Sequence, residues 1–407
     1  MSVPAVTATQ DAIPRVLLIA NFLSEAGGSR SVLEDLVERL RGRAPEIVLA
    51  SHYRWGLLRG LHMAATAIVR RRHYDVAMLD LYSGRAFLWG ETMGRLLKVL
   101  GCPFVLTLRG GLLPDFAKRH PRRVSACLSR ADIVAAPSGF LLENMRPFTP
   151  NIVLLPNPLD LDRYAFTLRR SPKPKLVWLR SFHEVYDPCL AVHVLSTLVK
   201  DFPDVTLTMV GADKGDGSWQ RVDRLAIKCG VRDRLTMPGK VAKKDVPNWL
   251  NQSDIFLNTT TADNAPVSVL EAMACGLCVV TTNAGGLPFL VEDQVDALLV
   301  PPHDPVAMVW AVRRLLSEPA LAEALSAAGR RKAEQYAWSA QMQHWETILR
   351  SVSPKWYLGV GGQRGSIESP RDVMPHSSEE QTSEGARHAL LSSASAAHLP
   401  ARGSSTH

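Results

Sequence analysis

The 407-residue sequence has no apolar run approaching the ~20 residues that cross a bilayer. Its opening stretch, residues 1–13, lacks the basic start and apolar core of a signal peptide, so a cytoplasmic location is expected. Cysteine is sparse, with six residues and no framework of spacings. Cys275 and Cys278 make a lone Cys-x2-Cys without a second pair or a neighbouring His, which disfavours zinc and fits two packed thiols. Also missing are the Gly-x-Gly-x-x-Gly and Walker fingerprints of dinucleotide and ATP sites. No Asp-x-Asp element is flanked for a metal, and no metal or other cofactor is expected. Helix-turn-helix, zinc-finger and aromatic-basic RNA-binding signatures are absent too, so nucleic acid is not an expected partner.

What is present is an ordinary globular composition, 46% hydrophobic and 21% charged, with a net charge of +8. At ~100–200 residues per domain this length implies two or three domains. The basic excess suggests a patch meeting an anionic membrane. The run from Arg54 to Met63 followed by Arg70, Arg71 and Arg72 can supply one, or can be a solvated helix face.

Two successive series of apolar, β-prone runs follow one another. The first comprises Val16–Ala20, Ile47–Ala50, Val76–Leu79, Phe104–Leu108, Ile133–Ala136 and Ile152–Leu155. The second comprises Lys175–Leu179, Val205–Val210, Arg234–Met237, Asp254–Asn258, Cys278–Thr281 and Ala297–Val300. Helical patterns separate them, such as Val32, Leu33, Leu36, Val37 and Leu40 on one face. Continuous rather than alternating apolar strands predict parallel sheets covered on both sides. The fold class is therefore α/β with two Rossmann-like domains. They span 15–170 and 171–336, after a flexible N-terminus (1–14), with Ser171-Pro-Lys-Pro174 as a linker. Asp304-Pro305 reads as a capped helix start. A last helix over 337–352 carries Met342, Trp345, Ile348 and Leu349 on one side. The tail 353–407 is poor in large apolar residues and is expected to be disordered.

The densest chemistry lies in Thr261–Val280. Asp263 is followed after seven residues by Glu271, at the start of a small-residue helix between two strands. Both carboxylates then stand at the carboxyl end of a parallel sheet, where open α/β folds bind ligands. Pro266 suits the first helical turn. The amides of Val267 and Ser268 can face a phosphate, and Glu271 and Asp263 can accept hydrogen bonds from vicinal hydroxyls. Two hydroxyl-binding acids around an anion site describe a nucleotide-sugar; an acidic loop capping a packed helix is the alternative.

This segment resembles the acid-x7-acid element of retaining GT-B fold glycosyltransferases, in particular family GT4 (glycosyl transferases group 1). The first acid is usually Glu; Asp263 replaces it here. The resemblance covers about 15–351. It implies a GT-B architecture, with an acceptor domain and a donor domain facing across a cleft and a C-terminal helix crossing back onto the first domain. It also implies metal-independent transfer of a sugar from a UDP- or GDP-sugar to a saccharide, lipid-linked or small-molecule acceptor, as in cell-surface glycan synthesis.

On this resemblance the donor site comprises Asp263, Asn264, Ala265, Val267, Ser268 and Glu271, with Arg180 at the end of a strand to hold the diphosphate. The Lys-Gly that usually follows is replaced around Val185, Tyr186 and Asp187. Tyr186 can donate a hydrogen bond instead, and Lys240 is a candidate substitute cation. Gly211 is expected to make room for the nucleotide and Val241 to contact the base. Gly27 and Gly28, after the first strand, are expected near donor phosphates and acceptor, whereas Gly285-Gly286 reads as a structural turn. Arg109 occupies the place of a histidine that many relatives carry near the transferred sugar, and is a candidate for binding an acidic sugar or a carrier phosphate. Asn157 in Pro156-Asn-Pro158 is expected to stabilise the hinge. Two other readings stay open: a GT-B epimerase or phosphorylase, and a non-catalytic nucleotide-sugar-binding member of a glycan assembly complex.

Overall fold

A computed structural model of the chain describes residues 13–20, 22, 32–51, 53 and 56–353. The expectations for Gly27, Gly28, the N-terminal segment before Ile13 and the tail beyond Ser353 fall outside these residues.

In the first domain the elements are β1 (Val16–Ile19), α1 (Val32–Leu40), β2 (Ile47–Ala50), α2 (Gly56–Val69), β3 (Val76–Leu81) and α3 (Phe87–Val99). They continue as β4 (Phe104–Leu108), α4 (Leu113–Arg119), α5 (Pro121–Leu128), β5 (Ile133–Ala136), α6 (Gly139–Met145) and β6 (Ile152–Leu154). All neighbouring strands are parallel, in the order β2-β1-β3-β4-β5-β6. Their residues are buried on both faces except at the edges β2 and β6, as near-continuous apolar runs require.

The second domain repeats the plan. It contains β7 (Lys175–Leu179), α7 (Pro188–Leu198), β8 (Thr206–Val210), α8 (Ser218–Lys228), β9 (Leu235–Gly239), α9 (Val246–Asn251) and β10 (Ile255–Asn258). Then come α10 (Val267–Ala274), β11 (Cys278–Thr282), α11 (Leu287–Leu290), β12 (Leu298–Val300), α12 (Pro305–Ser317) and α13 (Pro319–Gln335). The sheet order is β12-β11-β10-β7-β8-β9. Strand order reverses between β7 and β10, which opens a crevice at their carboxyl ends.

The predicted strands all form, with ends shifted by at most two residues. Asp304 caps α12 as its sequence indicates, accepting from the amide of Ala307 at 2.9 Å. Pro266 is a correction: it is the extended cap residue before α10 and not part of its first turn. Its fixed φ still sets the entry, because the Pro266 carbonyl accepts from Val269 at 3.1 Å.

The final helix, α14 (Trp338–Ser351), crosses back onto the first domain. Trp338, Met342, Trp345 and Leu349 are buried in one core with Leu33, Leu36, Val37 and Leu40 of α1 and with β1. In the stretch between β6 and β7, Leu155 still packs on the first domain, whereas Leu159 and Tyr164 enter the core of the second. Arg169 is buried, pairing with Asp254 at 2.8 Å and donating to the carbonyls of Ser253 and Cys275. Cys275 and Cys278 are both buried thiols, and burial pushes each up to about 12.

Candidate functional site

Arg180 follows β7 immediately, and its amide donates to the Val210 carbonyl at 3.1 Å, so the backbone still runs with the sheet. Its guanidinium lies over the Tyr186 ring, 4.9 Å from the centroid, and forms an ion pair with Asp263. The paired atoms, Nη2 and Oδ2, are close but not aligned for a hydrogen bond, and the buried Nε has no partner. Burial lowers the Arg180 pKa, and Tyr186 and Glu271 offset this only in part. A buried cation with an unmet donor is costly unless a ligand supplies the acceptor.

Gly211 faces this residue for a different reason from the one expected. A side chain on Gly211 would begin 1.7 Å from the Arg180 carbonyl oxygen. The missing side chain therefore makes room for the Arg180 backbone; nothing here assigns that space to a nucleotide.

Asp263 sits on the loop after β10. Its carboxylate accepts from the Asn264 amide at 2.8 Å, and its carbonyl accepts from Gly286 at 2.8 Å. A Cβ on Gly286 would stand 1.7 Å from the Asn264 carbonyl, and one on Gly285 2.2 Å from that of Asp263. The glycine pair read as a plain strand-end turn is thus the mould against which the acidic loop is cast. Asn264 is buried and accepts from the hydroxyl of Ser138, which also caps α6 by accepting from Leu141 at 3.2 Å. Ser138 belongs to the first domain, so this bond closes the cleft directly beside Asp263. Ala265 is half-buried next to it.

Glu271 is buried one turn into α10 and accepts from the Tyr164 hydroxyl at 2.7 Å. Burial holds its carboxyl above the usual range, while Tyr164, Lys243 and Arg180 pull it partly back. At the start of the same helix the Ser268 hydroxyl is buried without a partner. The first amides of α10, at Val267 and Ser268, precede the intrahelical ladder and carry the positive end of its dipole.

The sequence points to Lys240 as a substitute cation, but Lys243 is the lysine whose charge acts on Glu271. Lys243 also stands 3.5 Å from Asp35 of α1, across the cleft. Val241 packs against the core beside α10. Tyr186 is held through its carbonyl by the Thr259 hydroxyl at 2.6 Å, with its ring on Arg180. Asp187 caps α7 from a left-handed conformation (φ 39°) and pairs with His303 at 2.8 Å. Tyr164, Ser138 and Lys243 carry no motif of their own, and only the folded chain brings them to the acids.

Arg109 lies at the end of β4. It pairs with Asp80 at 2.8 Å and donates to Asn157 at 2.6 Å, leaving Nη2 buried without a partner. Asp80 also accepts from the Thr107 hydroxyl. Burial works against the Arg109 charge, but Asp80 and Tyr82 outweigh it and its pKa is raised. Tyr82 itself is pushed up to about 12 by burial and by Asp80. Asn157 thus serves the hinge by anchoring Arg109. Gly111 follows in the same loop, and a Cβ there would contact the backbone of Asp263 and Asn264 at 3.3–3.5 Å.

Residues 165–332 match the family described as "Glycosyl transferases group 1". Two curated relatives are D-inositol 3-phosphate glycosyltransferases. The one from Xylanimonas cellulosilytica is 30% identical over 224 residues, 53% of this chain and 50% of that protein. The one from Mycolicibacterium smegmatis is 29% identical over 204 residues, 49% of this chain and 44% of that protein. The chain spans at most about half the length of either relative. Among solved structures, Anabaena HepE in complex with UDP superposes with a TM-score of 0.68 at 18% identity, covering 82% of this chain and 99% of that one. A sucrose-phosphate synthase from Thermosynechococcus elongatus gives 0.66 at 18% identity, covering 83% and 98%. These likenesses show the GT-B fold.

Proposed function

We propose that this chain, which through residues 165–332 belongs to the group 1 glycosyl transferases, moves a sugar from a nucleoside-diphosphate donor to an acceptor hydroxyl with retention of anomeric configuration. The observation that carries this is the Arg180 guanidinium, with a buried and unmet Nε, paired with Asp263 and near enough to Glu271 of α10 to feel its charge. Such a site is built to receive negative charge. The bond from the anomeric carbon to the diphosphate breaks, the leaving oxygens take up charge, and Arg180 with the Val267 and Ser268 amides stabilises them. The acceptor oxygen attacks from the same face and its proton passes to the leaving diphosphate. Glu271 holds the ribose hydroxyls and Asp263 those of the sugar.

No step requires a metal, so EDTA should leave turnover unchanged. UDP-sugars are the first donors to test, because the neighbour HepE is described with UDP and with UDP-glucose. A phosphorylated polyol acceptor is suggested by the names of the curated relatives. A saccharide or lipid-linked hydroxyl, as in cell-surface glycan synthesis, completes the acceptor class to be screened.

The test is a thermal-shift panel of UDP- and GDP-sugars, followed by NMR of the product anomer. A donor at 100 times its Kd stabilises by ~2.7 kcal/mol. Arg180→Ala should lower kcat by about 10²–10³-fold, as expected for loss of a preorganised donor to a developing charge. A product of inverted configuration, or turnover in Arg180→Ala within threefold of wild type, would sink the proposal.

A further inference from the structure

The first domain carries a surface that the transfer reaction does not use. Residues 15–170 hold 23 Lys and Arg against 13 Asp and Glu, whereas 171–353 hold 19 against 20. All the excess positive charge of these two regions therefore lies in the first. It is most concentrated over 47–74, which contain five arginines and no acidic residue.

Helix α2 occupies the middle of that stretch. Its inner face is ordinary: Gly60, Met63 and Ala67 are buried, with Gly60 against the Trp89 ring of α3. The outer face is not. Leu58, Leu61, Ala65 and Ile68, at i, i+3, i+7 and i+10, form one stripe, and every one is exposed. Val69 continues it at 78% exposure, and Leu49 and Tyr53, both exposed, lie nearby in sequence. A surface helix normally turns polar residues to water, and one that is apolar all round belongs in an apolar medium. At 14 residues α2 is too short to span a bilayer. The exposed side chains of Arg70 and Arg72 stand at its carboxyl end, and a groove of about 470 Å³ runs between α2 and the edge strand β2.

We propose that the outer face of α2 docks the protein on an anionic lipid bilayer, its leucine and isoleucine side chains entering the interfacial region and the arginines meeting lipid phosphates. Charge selects this occupant. A second copy of the same surface would oppose its own exposed Arg70 and Arg72, whereas an anionic leaflet neutralises them. Helix α2 runs antiparallel to the strands, so Arg70 and Arg72 lie at the amino end of the sheet, where the Arg72 carbonyl accepts from Arg15 just before β1 at 2.7 Å, and Arg109 lies at the opposite end. The binding itself does not depend on the proposed transfer.

The experiment is co-sedimentation of the full chain with phosphatidylcholine vesicles, with and without 30% phosphatidylglycerol, together with light scattering of the protein alone. We expect a monomer that binds the anionic vesicles at least tenfold more tightly and is released as salt rises. Leu61→Ser/Ile68→Ser should weaken binding to anionic vesicles at least tenfold. Arg70→Gln/Arg72→Gln should lose about thirtyfold, at about 1 kcal/mol per basic residue near the surface. Unchanged melting and an unchanged UDP-sugar thermal shift would show that both variants remain folded. Val69→Gln is the single-site control should the double apolar variant unfold. No binding to anionic vesicles, binding indifferent to these substitutions, or a dimer that Leu61→Ser/Ile68→Ser dissociates would each overturn the proposal.

Discussion

Arg109 and Arg180 each stand immediately after a strand, at the carboxyl end of one of the two sheets, and both are mostly buried, with side chains 11% and 17% exposed. Their environments nevertheless push them in opposite directions. Arg109 has its counter-charge, Asp80, on the adjacent strand β3, an oxygen of Asn157 on a second nitrogen, and a raised pKa. Arg180 has its counter-charge, Asp263, on a loop, an aromatic ring beneath it, an unmet Nε and a lowered pKa. The difference lies in who supplies the negative charge. In the first domain the fold supplies it, so Arg109 is a clamp with one donor left over. In the second domain the supply is incomplete, so Arg180 is prepared for a ligand.

The contrast breaks most directly at the counter-charges. Asp80→Ala strands a buried guanidinium and should cost about 3–5 kcal/mol in urea unfolding, the usual result of removing one partner of a buried pair. Asp263→Ala should cost less than half as much, because the Arg180 and Asp263 side chains are 17% and 14% exposed, against 11% and 2% for Arg109 and Asp80. Asp263→Ala should instead abolish most donor-sugar turnover. If the two substitutions destabilise equally, Arg180 is as structural as Arg109 and the proposed division is wrong.

How far the sequence reaches follows the same line. Strands, caps and the crossover helix depend on local patterns: apolar runs for β1 to β12, Asp304-Pro305 for α12, and the spacing of Met342, Trp345 and Leu349 for α14. All of these were legible. Asp263, Glu271 and Arg180 were legible because they sit at strand and helix ends, where the chain itself marks the position. The partners that tune them were not. Tyr164 lies 107 residues from Glu271 and Ser138 lies 126 from Asn264, and neither has a local signature. The same limit explains Lys240 and Lys243. The five residues from Gly239 to Lys243 include two candidate lysines, and only the loop geometry decides whose charge acts on Glu271. The roles of Gly211 and Gly285-Gly286 also depended on which backbone passes them, which one-dimensional reading does not contain.

Glu271 offers a smaller test, through pH. Its unfolded carboxyl titrates near ~4.3, and burial raises the native value. A raised carboxyl costs stability only where the unfolded chain is ionised. The penalty is therefore absent below the unfolded pKa, grows as pH rises through the interval up to the native pKa, and is constant above it. Glu271→Gln keeps an acceptor for Tyr164 and removes the penalty. The ligand-free variant should melt above wild type at pH 8 and level with it near pH 4, while donor affinity falls about tenfold through loss of hydrogen bonds to a charged acceptor. Equal gains at both pH values would mean that Glu271 is not the titrating group.

The smallest effect is expected where the two domains touch. Ser138 makes two bonds with one oxygen: it donates to Asn264 across the cleft and accepts from Leu141 as the cap of α6. Ser138→Ala loses both, whereas Asn264→Ala loses only the first, because the Asn264 amide still bonds to Asp263. The cap alone is worth about 1 kcal/mol. Ser138→Ala should therefore unfold about that much more easily than Asn264→Ala. The two variants should raise the donor KM by the same few-fold, since each frees the Asp263 loop from the first domain. A KM that rises in Asn264→Ala alone would mean that Asn264 touches the donor itself and that the cross-domain bond contributes nothing to placing the acid.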